Sequence, residues 1–97
     1  MRPTVEGRDV SDREPFYDVI EGEEEITVTV ELSGVQRDEI YLRATERSLA
    51  IDVNSSRRYW KLLELPDPVE GDSLRWTFNN GVLDIVLRKR ARHVKVD

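Results

Sequence analysis

The chain has 97 residues, of which 36% are charged, and a net charge of −5, which suits one small domain with one core. It has no cysteine, which excludes a disulfide framework, thiolate catalysis and thiolate-ligated zinc and agrees with a reducing cytoplasm. The acidic balance disfavours nucleic acid as the main partner, and no apolar run is long enough to span a membrane.

Residues 1–14 are polar and charged, contain Pro3 and Gly7 and lack the apolar stretch of a signal peptide, so they read as a flexible polar arm. Strand-like patterning begins after Pro15, weakly in "FYDVI" and cleanly in "EITVTVEL". There Ile26, Val28, Val30 and Leu32 share one face, and the β-branched period of two predicts a strand. Gly34 breaks the run. "IYLRA" resumes it with Ile40, Leu42 and Ala44 on one face, and "LAIDV" follows with Leu49, Ile51 and Val53. The segment between Val35 and Ile51 contains good helix formers, but its apolar positions fit period two better. "YWKLLEL" reads as a strand stopped by Pro66 and Pro68. "SLRWTF" aligns Leu74, Trp76 and Phe78, and "VLDIVL" aligns Leu83, Ile85 and Leu87. Between them Asn79, Asn80 and Gly81 form a turn that needs residues tolerant of positive φ. Seven short strands with turns at such spacing predict an all-β, immunoglobulin-like antiparallel sandwich over residues 15–89. Residues 90–97 form a basic tail.

Catalytic and metal constellations are hard to assemble from these residues. His93, the one histidine, lies in the tail, and a general base needs an orienting partner and a pocket. Glu23, Glu24 and Glu25 are adjacent rather than spaced as calcium ligands. No serine has an evident His and Asp partner, and the isolated glycines build no phosphate-cradling loop. The sequence therefore predicts no enzyme and no cofactor. Charge is uneven: 12 of the 20 acids fall in residues 1–39, while Arg88, Lys89, Arg90, Arg92 and Lys95 crowd the end. Both groups suit solvated surface, and they also permit head-to-tail attraction between molecules.

"ITVTVELSGVQRDEIYL", "LLELPDPV" and "WTFNNGVLDIVLRK" fall in that order. Together they resemble the α-crystallin domain of small heat-shock proteins. In that family a strand leads through a Leu-Pro-Gly-Val turn to a second strand, and Ala, then Asn-Gly-Val-Leu, opens the closing strand. The residues carrying the resemblance are Gly34, Val35, Trp76, Asn80, Gly81, Val82 and Leu83. Ser33 stands where the family has Pro, Trp76 where it has Ala, and Arg88 where it has the closing Pro. Only residues 54–58 join "LAIDV" to "YWKLLELP". Bacterial and plant members carry there a long loop whose strand swaps into a partner, and five residues cannot cross to another subunit at about 3.3–3.6 Å each. No swapped-strand dimer is expected. In this the chain is similar to the CS-type domain of co-chaperones of the ninety-kilodalton heat-shock protein.

The resemblance implies an ATP-independent holdase for non-native client proteins, working in the cytoplasm without nucleic acid or membrane. The alternative is a monomeric or dimeric CS-type adaptor that docks on a specific partner. It also implies a groove bordered by Ile40, Leu42 and Ala44 on one strand and Leu74 and Trp76 on another. Val94 and Val96 match the family's V-x-V tail motif. In extended geometry they share one face and could fill such a groove on a neighbour, which allows self-association through the tail.

Overall fold

The alternation becomes seven strands in two antiparallel sheets. The computed structural model describes residues 15–90; the arm of residues 1–14 and the tail residues His93, Val94 and Val96 lie outside the described residues. In chain order the strands are β1 (Tyr17–Glu21), β2 (Glu25–Glu31), β3 (Ile40–Ala44), β4 (Ser48–Val53), β5 (Tyr59–Glu64), β6 (Arg75–Asn79) and β7 (Val82–Arg88). One sheet has the order β1-β2-β7-β6 and the other β3-β4-β5. The helix formers before β3 yield a single 3-10 turn, Arg37–Glu39, and a second spans Gly71–Ser73.

The core is the inward half of each alternation. Ile26, Val28 and Val30 of β2, Leu49, Ile51 and Val53 of β4, and Leu83, Ile85 and Leu87 of β7 are essentially inaccessible. Ile40, Leu63, Leu32 and Val69 complete it, with no polar or charged side chain buried among the described residues. The central strands β2 and β7 therefore hold the largest share of the stabilising burial.

Two turns set the sandwich corners. Asn79 pairs with Val82, leaving Asn80 (φ 52°) and Gly81 (φ 78°) as a two-residue connection with positive φ at both positions. That is a type I′ turn, whose twist matches the flanking strands. Gly81 also accepts a hydrogen bond from the Leu32 N–H at 2.7 Å, which ties the hairpin to the end of β2. Residues 54–58 close β4 onto β5 within the chain, with Val53 opposite Tyr59. The Ser55 hydroxyl donates to the Arg57 carbonyl at 2.9 Å and steadies this loop.

Where β7 ends, three successive cations meet acids from the end of β1 and from separate loops. Arg88 faces Glu70 at 3.9 Å, Lys89 faces Glu21 at 2.7 Å and Asp67 at 3.5 Å, and Arg90 pairs with Glu46. Lys89 is mostly covered, and its hydrogen bond to Glu21, aided by the Asp67 charge, holds its pKa above the ordinary 10.5 against the opposing effect of burial. A lysine pKa raised by folding contributes stability that is complete below about pH 10.5 and fades as pH rises through the folded value. Lys89→Met is therefore expected to lower the denaturation midpoint at about pH 7–9. The gap to the parent chain should narrow above about pH 10.5. A gap constant across that range would show that the ammonium is not what stabilises the end of β7.

Candidate polypeptide-binding site

Stacking the two sheets places β3 and β6, each the last strand of its sheet, along one side of the sandwich. β1 and β5 lie along the other. Contacts between the sheets fix this arrangement. The Arg37 guanidinium sits 4.5 Å from the centre of the Trp76 ring, and Lys61 of β5 lies 5.3 Å from the Tyr17 ring of β1. Neither β3 nor β6 has a second strand partner among the described residues. Each therefore has one edge whose backbone N–H and C=O groups no neighbouring strand pairs.

The sequence-predicted groove residues converge on that side, though not equally. Leu42, Ala44, Leu74 and Trp76 are half-buried and packed against the core, whereas Ile40 is 5% exposed and belongs to the core itself. Ile40, Trp76, Tyr41 and the 3-10 turn line a hollow of about 560 Å³, with Gln36, Arg37 and Asp38 at its mouth. Arg37 covers part of the Trp76 ring, so the indole lines the groove under a cationic lid. A guanidinium–indole contact at an exposed site is worth about 0.5–1 kcal/mol. At the other end of β3, Gly71 leaves room for the backbone: a Cβ there would come within 3.0 Å of the Ala44 carbonyl oxygen.

The other motif residues have different neighbours. Gly34 (φ 83°) turns the chain out of β2 and, with Val35, lines a separate cleft of about 640 Å³ beside Phe16, Leu32 and Tyr59. Asn80, Gly81 and Val82 form the β6–β7 corner, and Leu83 is fully buried. They shape the frame and border no chemistry. Among the described residues no three His, Cys, Asp or Glu side chains converge to hold a metal, and no helix is long and apolar enough to cross a membrane.

Sequence reasoning missed one surface. Tyr41, Trp60 and Leu62 point outward and are more than half exposed. In "YWKLLEL" apolar residues occupy both parities, so period two alone does not assign a face. The register settles it: Leu49 pairs with Leu63 and Val53 with Tyr59, which turns Trp60 and Leu62 to solvent. That pairing was recoverable only by fixing the length of the 54–58 loop.

This two-sheet, all-β sandwich is the fold shared by small heat-shock proteins and CS domains. Residues 16–89 match the CS domain family, and the chain belongs to it. Among solved structures it is similar to heat shock protein 16.0 from Schizosaccharomyces pombe, with a TM-score of 0.70 and 21% identity over 88% of this chain and 99% of that one. A small heat-shock protein from Xylella fastidiosa gives a TM-score of 0.69 and 22% identity, covering 86% of this chain and 95% of that one. The nuclear movement protein from E. cuniculi gives 0.60 and 22% identity, covering 76% and 85%. At these identities the likeness is one of fold. No curated protein matches the sequence significantly.

Proposed function

We propose that the chain is an ATP-independent, non-enzymatic chaperone of the small heat-shock type, a holdase that takes up extended stretches of non-native polypeptide and limits their aggregation in the cytoplasm. The observation that carries this reading is the β3/β6 side, where two unpaired strand edges flank the half-buried Leu42, Ala44, Leu74 and Trp76. A client strand would gain backbone hydrogen bonds at the edge and bury alternate apolar side chains, a mode that is shallow and tolerant of sequence. No cofactor, nucleic acid or membrane enters it. Residues 1–14 serve as a polar arm and residues 90–97 as a tail. Val94 and Val96 act as the chain's own ligand for the groove and support self-association.

Light scattering of a heat-aggregating client tests the reading. Suppression at several-fold molar excess is expected, and its absence would sink the holdase role. A separate measurement addresses the groove. Arg37→Ala removes the lid over Trp76 and is expected to tighten binding of a V-x-V peptide about two- to fivefold, the equivalent of the lost cation–π contact. Unchanged or weaker binding would show that the peptide does not displace Arg37.

One observation favours a second reading, an adaptor of the CS type. The β4–β5 link is a closed five-residue hairpin within the chain, with no strand to lend to a partner. Recovery of one stoichiometric partner whose binding weakens with salt would support the adaptor over the holdase.

A further inference from the structure

The outer face of the three-stranded sheet carries a patch that the fold does not require. Its register builds two rows. Tyr41, Asp52 and Trp60 stand side by side across β3, β4 and β5, and Arg43, Ala50 and Leu62 form the next row. Tyr41 is 58% exposed, Trp60 61% and Leu62 51%. Ala50, small and central among large neighbours, leaves a hollow of about 480 Å³ walled by Tyr41, Trp60, Arg43 and Asp52. The outer face of the other sheet is built differently at its centre, where the Thr29 hydroxyl donates to Asp84 at 2.8 Å.

The charges on this face say what suits the hollow. Asp52 is engaged by Arg58 at 3.5 Å. Arg75, Arg88, Lys89 and Arg90 each meet a carboxylate elsewhere. Arg43, exposed beside Ala50, has no ion-pair partner among the described residues. Glu64 stands one row beyond Leu62 on β5, so an incoming anion is directed to the β3 side. Three half-exposed large side chains offer roughly 300–400 Å² of apolar surface, well short of the ~800 Å² per partner in a standard interface between folded proteins. The patch fits a single segment rather than a second copy of the sheet. Tyr, Trp and Arg are also the side chains that anchor such contacts best.

We propose that the outer face of β3, β4 and β5 binds a segment of a partner protein that sets an apolar side chain over Ala50, between Tyr41 and Trp60, and an adjacent Asp or Glu carboxylate against the Arg43 guanidinium. The site meets the β3/β6 groove at Tyr41 and Leu42 but does not depend on it. Its two halves reinforce each other. The aromatic walls exclude water from the guanidinium, and a fork of two N–H donors fixes the orientation of the carboxylate.

The test is an amide-resolved NMR titration of the full chain with a short, end-blocked peptide of leucine and glutamate, beside its lysine-for-glutamate counterpart. The acidic peptide should bind more tightly and shift the amides of Tyr41, Arg43, Ala50, Trp60 and Leu62. Arg43→Glu, an exposed change whose folding is checked by thermal unfolding, should reverse the preference and move the ratio of the two dissociation constants by about tenfold or more. Trp60→Ser should weaken both peptides. Three results would each overturn the proposal: equal binding of both peptides by the parent and Arg43→Glu chains, shifts confined to Leu42, Ala44 and Trp76, or self-association that Trp60→Ser abolishes.

Discussion

Leu83→Ala is expected to cost about 2–5 kcal/mol and to lower Tm by about 10–30 °C. Leu83 is fully buried on β7, opposite Val30 of β2 and Phe78 of β6. Truncation there removes the transfer free energy of the lost atoms and leaves a cavity between the two sheets, walled by strands that cannot readily collapse. A domain of this size has ~5–15 kcal/mol in total, so the variant loses a large fraction of its margin. Chemical denaturation with a two-state fit measures it. A loss below about 1 kcal/mol would place Leu83 outside the core.

Gly81→Val should be the most damaging of the turn substitutions. At φ 78° an L side chain costs about 1–2 kcal/mol, and a β-branched one is a true outlier there. Sterics add to this. A Cβ at Gly81 already touches the Ser33 Cα at 3.4 Å, so the γ-methyls of valine would press on the backbone at the end of β2. Gly34 is the matched control, with φ 83° and open space where a Cβ would go. Gly34→Val should show the conformational cost alone. Equal losses at the two glycines would mean that the contact with Ser33 contributes nothing.

Much of the frame was legible because its strands alternate without ambiguity. Ile26, Val28 and Val30, Leu49, Ile51 and Val53, and Leu83, Ile85 and Leu87 are each apolar on one parity and polar or mixed on the other, and all are buried. Asn79, Asn80 and Gly81 announced a turn through residues that tolerate positive φ, and the structure narrows it to a type I′ turn at Asn80 and Gly81. The groove was legible more coarsely. Period two placed Ile40 with Leu42 and Ala44, but depth along a face depends on what lies opposite, and Ile40 fell into the core. Trp76 follows the same logic. Its size in place of a small residue was visible in the sequence, while the Arg37 lid came from a turn three residues ahead of β3 and needed the third dimension. The exposed Trp60 and Leu62 were hidden because "YWKLLE" satisfies both parities, and a residue step in register reverses every side chain.

Lys61 is the inward residue at the middle of β5, leaning over the Tyr17 ring of β1. An inward charge on an edge strand resists the addition of another strand, because a newcomer would have to cover a cation that cannot turn away. The two sides of the sandwich are thus unequal: the β1/β5 side carries an inward cation, and the inward residues of β3 and β6, where the proposed groove lies, carry none. On the proposed reading, then, a strand adds on one side of the sandwich alone, and any further contact of the molecule runs through its tail or its outer face.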